Sequence, residues 1–383
     1  IIVVLVASVV AAMYANGYRF DREKGTFDPN GLLVINSEPN GAQVFVDNVL
    51  KTATNATIPL APGSYEVRLK KDGYLLWSKK VGMQKEEVTQ INAYLFPIAP
   101  SLSAISFAGS KNPIISPDLT KIAYLVPLSS DAEAKNTQTD EKSGLWVLET
   151  ANLPLGFNRE PRKITDGDTK DWNFTWSPDS REIMAETKKA TYELDAGQFT
   201  SQLARVDIKA QQAKILDNWS LLKKERLAAQ LAKLPTKLKD VFEKSTSDIT
   251  FSPDEEKILY TATASAVVTE GLVPPLPGSS TQTQERNIRP NKKYVYDVKE
   301  DRNFTVADDK QITYWMPTSA HLMLPQKDKV IIEDYDGTNK QSVYTGSYVY
   351  PYAFPTGSPS RFLILTNFGA DSALTNLYSV SLK

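Results

Sequence analysis

The triplet Ser-Pro-Asp occurs three times in this chain, each time between two apolar runs, and this constrains the fold more than any other feature. Ile114–Leu125 reads Ile-Ile-Ser-Pro-Asp-Leu-Thr-Lys-Ile-Ala-Tyr-Leu; Phe174–Met184 and Ile249–Tyr260 repeat the pattern. Proline presets φ for the first turn position, and the Asp side chain accepts a backbone N–H two residues on. A basic residue (Lys121, Arg181, Lys257) precedes each second run. Strand, tight turn, strand, repeated at intervals, predicts a ring of small antiparallel sheets, a β-propeller.

Two weaker copies extend the series. Tyr314–Leu324 aligns without gaps on Thr250–Tyr260, with Thr318 in place of Asp and His321 on the basic position. The fifth runs from Ala353-Phe354-Pro355 to Arg361–Leu365. Third strands are expected at Gly144–Leu148, Thr191–Leu194, Lys293–Val298, Lys329–Glu333 and Leu377–Leu382, and fourth strands at Arg162–Thr165, Ala213–Leu216, Asn303–Val306 and Gln341–Thr345. The fifth unit ends after its third strand, while Ser103–Phe107 precedes the first unit with strand alternation and no sequence-local partner. The two are therefore expected to pair and close the ring, which removes exposed edges.

Two insertions interrupt the units. Trp219–Lys244 carries spaced leucines broken at Pro235, predicting two short amphipathic helices. Its basic residues Lys223, Lys224, Arg226, Lys233 and Lys237 are the candidate partner-contact residues, the alternative being a lid whose leucine face packs on the propeller rim. Ala264–Asn291, rich in Pro, Gly, Ser, Thr and Gln, is expected to be a mobile loop.

Ahead of the repeats, 31–96 alternates as a compact β module with turns at Pro39-Asn40-Gly41-Ala42, Pro62-Gly63-Ser64-Tyr65 and Asp72-Gly73-Tyr74, and a strand at Val44-Phe45-Val46-Asp47. These residues resemble a PEGA domain, whose namesake tetrad has Glu where this chain has Asn40. The resemblance implies a small β-sandwich found on bacterial surface and envelope proteins, without catalytic residues of its own. The Ser-Pro-Asp strand pairs resemble the repeats of Tol-type periplasmic propellers, whose usual Gly after Asp is here Leu119, Ser180 or Glu255. That motif marks architecture and carries no activity with it.

Ile1–Tyr18 contains no charged residue and reads as an uncleaved transmembrane signal anchor, with Tyr14 and Tyr18 at its end, the rival reading being a cleavable signal peptide; 19–30 is a polar juxtamembrane spacer. The 44 basic and 45 acidic residues nearly cancel, which argues against nucleic acid as partner. With no cysteine and a single histidine, disulfides, thiolate metal sites and His-rich metal sites are excluded.

Candidate chemistry is sparse. His321 is read as an exposed turn residue equivalent to Lys121, Arg181, Lys257 and Arg361, and so dispensable. Asp118, Asp179 and Asp254 occupy equivalent corners of separate units and are read as turn formers. A glycosidase needs paired carboxylates a few ångströms apart. Glu333-Asp334-Tyr335-Asp336 or Asp166, Asp168 and Asp171 are the available sources, although Asp336-Gly337 is better read as a hairpin turn. The sequons at Asn55, Asn173, Asn218 and Asn303 are read as chance.

The expected protein is thus all-β: an N-terminal transmembrane helix (1–18), a PEGA-like sandwich (31–96) and a five-bladed propeller (97–383) with a helical insertion (219–244) and a mobile loop (264–291). No catalytic, cofactor or metal residues are assigned. Its expected role is non-catalytic binding or scaffolding outside the cytoplasm, held by a single membrane span. The expected partner is an envelope protein or cell-wall polysaccharide. A carbohydrate-active enzyme and a structural spacer are the alternatives.

Overall fold

The computed structural model describes residues 18–21, 26–128, 142–151, 160–274, 280–370 and 374–383, with isolated positions before residue 12. The expected membrane anchor lies largely outside the described residues. Among those described, no helix is long and apolar enough to cross a membrane. The expected spacer carries an antiparallel hairpin, β1 (Tyr18–Asp21) with β2 (Thr26–Pro29).

The N-terminal module is a sandwich. One sheet holds β3 (Gly31–Glu38) between β6 (Ala56–Leu60) and β9 (Val88–Tyr94), the β3–β9 pair being parallel. The other runs β5 (Val49–Ala53), β4 (Gln43–Val46), β7 (Gly63–Lys70), β8 (Trp77–Met83). Alternation decides the inner faces: Leu33, Ile35, Val44, Val67, Leu69 and Trp77 are buried in one cluster. Strands β5 and β6 fall in a stretch where sequence alternation was too weak to mark them. Gly41, in the namesake turn, adopts φ +75°, a conformation that glycine reaches without steric cost.

Five sheets follow among the described residues, and they are consistent with propeller blades. The first is β11 (Lys111–Ile115), β12 (Lys121–Val126), β13 (Gly144–Glu149), β14 (Arg162–Asp166). The second has three strands, β15 (Asn173–Trp176), β16 (Glu182–Glu186), β17 (Thr191–Asp195). The third is β18 (Thr246–Phe251), β19 (Lys257–Ala262), β22 (Lys292–Asp297), β23 (Arg302–Asp308), with a small hairpin of β20 (Ala266–Val267) and β21 (Asn287–Ile288) inserted. The fourth is β24 (Tyr314–Trp315), β25 (His321–Pro325), β26 (Lys329–Asp334), β27 (Gln341–Thr345).

The last sheet, β28 (Ala353–Pro355), β29 (Arg361–Thr366), β30 (Asn376–Ser381), takes its outer strand from the start of the region: β10 (Leu102–Ala104) pairs with β30, Ser103 opposite Ser379. Ile105 N–H continues the ladder to the Leu377 carbonyl at 2.8 Å. The expected closing strand is present, and one buried cluster joins Ile122 and Tyr124 of the first sheet to Phe354, Leu363 and Leu377 of the last.

The Ser-Pro-Asp turns follow one hydrogen-bond plan. Ser116, Ser177 and Ser252 donate their hydroxyls to Asp118, Asp179 and Asp254 Oδ1 at 2.6, 2.6 and 2.5 Å. Each Oδ1 also accepts the amide two residues on. For Asp179 the Ser177 hydroxyl is the main reason its carboxyl sits below the usual range. Burial pushes Asp118 and Asp254 the other way, and the serine and amide donors outweigh it. These aspartates are turn formers, as expected.

The residue after each Asp, where glycine is usual, is left-handed: φ is 61° at Leu119, 62° at Ser180 and 59° at Glu255. That conformation costs roughly 1–2 kcal/mol for a non-glycine residue, and the side chains make contacts that a glycine lacks. Ser180 Oγ accepts the Asp118 amide at 3.2 Å, and Ser319 in the fourth sheet accepts the Asp254 amide at 3.1 Å, stitching first to second and third to fourth sheets. Trp176 and Trp315 repeat the same stitches through the Ile114 and Thr250 carbonyls.

The helical insertion differs from expectation at its start. Ala213–Leu216 is not a fourth strand: helix α1 (Gln212–Leu231) begins there, and α2 (Thr236–Ser245) follows Pro235. Ala213, Lys214 and Ile215 alternate, but Leu216 breaks the pattern, and the helix formers of 221–231 favour one continuous helix over so short a run. α1 is not amphipathic as predicted, since Leu221 and Leu222 are exposed, at 53% and 46%. α2 buries Leu238 and Phe242 against Tyr260 of the third sheet. α1 and the turn after it bridge the second and third turns: Arg226 donates to the Pro178 carbonyl, and Gln230 and, past the helix end, Lys233 bond Glu255 at 3.0 and 2.9 Å.

Candidate functional site at the domain junction

Strand β8 lies at the edge of its sandwich sheet, and Trp77, Lys79, Val81 and Met83 share one face by alternation. Three of these are buried apolar residues. Lys79 is an inward-pointing cation among them, a known protection of sheet edges, and it obliges the facing domain to supply acid.

The fourth sheet does so. The β26–β27 connection, Asp334-Tyr335-Asp336-Gly337, is the hairpin expected from sequence, closed by Gly337 N–H to the Asp334 carbonyl at 2.9 Å. Gly337 has φ +76°, and a Cβ there would stand 2.6 Å from the Thr305 carbonyl oxygen. Thr338 donates its hydroxyl to Asp336 Oδ1 at 2.6 Å, which orients the other carboxylate oxygen. Lys79 Nζ sits 3.0 Å from Asp334 Oδ2 and 2.6 Å from Asp336 Oδ2. Burial by itself would lower the lysine pKa, but the two carboxylates outweigh it and hold it above the ordinary value.

His321 corrects the sequence reading. It is not an exposed turn residue but is buried, 6% exposed, under the sandwich. Tyr94 and Phe96 pack their rings edge-on to the imidazole, centroids 5.9 Å away in both cases. Nδ1 lies 2.8 Å from Thr318 Oγ1, and Nε2 is 3.7 Å from Asp334 Oδ1, too far for a hydrogen bond. Burial lowers the His321 pKa, so the ring is neutral at pH 7. The equivalent Lys121 and Lys257 also reach across to neighbouring sheets, Lys121 to the Ser180 carbonyl and Lys257 over the Tyr335 ring. The position before the second strand is thus turned toward a neighbouring sheet at Lys121 and Lys257, whereas Arg181 is exposed. At the fourth unit this position is covered by the sandwich, through Tyr94 and Phe96.

The segment 264–291, expected to be mobile, is fastened to the edge of β8 by its described part. Gly82 N–H donates to Thr281 Oγ1 at 2.9 Å, and the Gln282 amide donates to the Lys80 carbonyl. Arg286 anchors the returning strand by a 2.9 Å ion pair with Asp301. The polar composition that suggested mobility supplies the donors and acceptors that cover a sheet edge. Glu38 and Lys383 add an exposed pair at 2.8 Å, and Tyr94 and Phe96 share a cluster with residues of the fourth and last sheets.

Between these contacts lies a cleft of about 240 Å³, lined from the sandwich by Trp77, Lys79, Gln90, Ile91 and Asn92, and from the other side by Thr281, Gln282, Glu300, His321 and Tyr335. Burial raises the Glu300 pKa; its Oε2 accepts the Ser280 amide at 2.8 Å. The other carboxylate candidates do not converge. Asp166 and Asp168 accept loop amides, and Asp171 forms an exposed pair with Lys188. Among the described residues no group of three His, Cys, Asp or Glu could hold a metal ion. Asn303 is fully buried, bonded to the Tyr260 hydroxyl. Of the insertion's basic residues, Arg226 and Lys233 contact the neighbouring turns, while Lys223, Lys224 and Lys237 are exposed.

The molecule is thus a mostly β protein whose sandwich is clamped onto the fourth sheet of a propeller-like array. Residues 30–98, the sandwich, match the PEGA domain. No curated protein matches the sequence. Among solved structures, TolB from Acinetobacter baumannii is 14% identical, covering 83% of this chain and 59% of its own, with a TM-score of 0.18. The Cps50 (Swd1) β-propeller domain of Myceliophteria thermophila is 10% identical over 73% of each chain, TM-score 0.19. Pyrococcus horikoshii acylaminoacyl peptidase is 12% identical over 72% of this chain, TM-score 0.22, and this chain spans only 38% of that enzyme. Superpositions this loose carry no argument about blade number or activity; the ring order here rests on strand pairing.

Proposed function

We propose that this chain is a membrane-anchored, extracytoplasmic binding or scaffolding protein in which a five-bladed propeller presents its rim and loops, without catalysis. The observation that carries this reading is the pairing of Asp334 and Asp336 with Lys79 across the domain junction. These are the carboxylates best placed for glycosidase chemistry, and both are engaged in holding the domains together. The strand exchange between β10 and β30 supports the five-bladed count, since it completes a four-stranded last sheet. The uncharged stretch 1–18 supports the anchor. Exposed Lys223, Lys224 and Lys237 on the insertion are the proposed contact residues for an envelope partner.

Crosslinking on intact cells, followed by identification of the captured chain, tests the binding role. Capture of a reproducible envelope partner that is lost when Lys223, Lys224 and Lys237 are changed to Ser is expected. Turnover of a cell-wall polysaccharide by the purified protein would overturn the non-catalytic reading.

A further inference from the structure

We infer that the cleft between β8, β9 and the fourth sheet binds one neutral sugar residue, free or at the end of a glycan. The inference rests on the reading of the chain as a binding protein and names the ligand class of its junction. The charged groups on the cleft floor are already matched: Lys79 is held by Asp334 and Asp336. What faces the space beyond that pair is mostly neutral and unsaturated in hydrogen bonding. Asn92 Oδ1 accepts from Asn36 and Gln90 at 3.0 and 3.1 Å, which leaves the Asn92 amide hydrogens and Gln90 Oε1 without partners among the described residues. Gln282 gives its amide to Lys80 and keeps Oε1 free. Thr281 accepts from Gly82 and keeps its hydroxyl hydrogen. Glu300 uses Oε2 for the Ser280 amide and leaves Oε1.

Both donors and acceptors are therefore free on the residues lining a space of about 240 Å³, roughly eight waters' worth of liquid. Trp77, Val81 and Ile91 supply apolar lining on the sandwich side. A few convergent polar groups over an apolar wall are the ordinary make-up of a small-ligand site, and hydroxyls that both donate and accept match this set best. An anion is disfavoured because three carboxylates, Asp334, Asp336 and Glu300, line or border the cleft against one lysine that is already paired.

The test uses the full chain and ligand-observed NMR with four probes: glucose, N-acetylglucosamine, glucuronate and glucosamine. Saturable transfer from at least one neutral sugar, and none from glucuronate, is expected. Asn92→Ala removes a rim amide on an exposed residue, so the fold should hold; the neutral sugar should bind about fivefold more weakly, the worth of one neutral hydrogen bond. Glu300→Gln should leave neutral-sugar binding within about threefold and abolish any glucosamine signal. A glycan bearing the same terminal sugar, titrated alongside, shows whether the free residue or a chain end is preferred. Absence of saturable binding by both neutral sugars, binding of glucosamine alone, or an Asn92→Ala variant that melts normally and binds unchanged would each overturn the proposal. The binding role itself is decided separately by crosslinking on cells.

Discussion

Lys79 Nζ of the sandwich lies 2.6 Å from Asp336 Oδ2 of the fourth sheet, and the Asp336 side chain is fully buried. Removing one member of a buried pair leaves the other charge uncompensated, at a cost of roughly 3–5 kcal/mol. Lys79→Met is therefore expected to destabilise the protein by about that amount in denaturant titration. Adding Asp334→Asn and Asp336→Asn to Lys79→Met should recover most of the loss, since no buried charge then remains unpaired. A triple variant as unstable as the single one would show that the side-chain volume of Lys79, not its charge, is what matters.

His321→Lys distinguishes the two readings of that position. On an exposed turn the change is worth within about 0.5 kcal/mol. Under Tyr94 and Phe96, beside Lys79, it introduces a second buried cation, and a loss of several kcal/mol is expected. Unchanged melting would return His321 to the surface.

Stability should also depend on pH through Glu333, which is buried on the face of β26 opposite Asp334. Burial pushes its pKa up to about 7, against the opposing effect of Lys340. Lys340 Nζ stands 2.7 Å from Oε2, yet neither carboxylate oxygen has a partner in hydrogen-bonding geometry. At 2.7 Å the two are in close charge contact, and it is the angle, not the distance, that falls outside hydrogen-bonding geometry. With the folded pKa above the unfolded value, the unfolded chain releases its proton first as pH rises. The contribution is complete below about pH 4.5 and is lost by about pH 7, on the order of 3 kcal/mol. Glu333→Gln should flatten that slope in urea titrations across the window. An identical slope in the variant would assign the pH dependence elsewhere.

Thr281→Val keeps the shape of the side chain that caps Gly82 N–H and removes the acceptor. A loss of about 1 kcal/mol is expected, with faster hydrogen exchange at Gly82. Exchange at Gly82 that does not change would mean that the loop is not the edge cover described above.

Much of this architecture was legible because it is written in local turn chemistry. Ser116-Pro117-Asp118 and its copies encode their own hydrogen bonds, and Pro39 to Ala42 marks the sandwich. The closing strand was legible from one unpaired alternating run, Ser103–Phe107. What was missed depends on contacts distant in sequence. Lys79 interrupts the inward series Trp77, Val81, Met83, and that break alone could have pointed to a buried acid partner. Thr318 and His321 replace both charged members of the turn, which is the mark of a turn taken out of water. Ala213–Leu216 was misread because four residues cannot distinguish strand from helix. The contacts of Thr281 and Gln282 with β8 were not legible, because polar composition is the same for a free loop and for one that bonds a sheet edge.

Scanning calorimetry of the full chain tests most directly whether the sandwich and the propeller form one unit through this junction. The account predicts a single transition for the natural sequence and, for Lys79→Met, a lower transition of the sandwich separated from that of the remaining sheets. Two separate transitions already present in the natural sequence, unchanged by Lys79→Met, would contradict it.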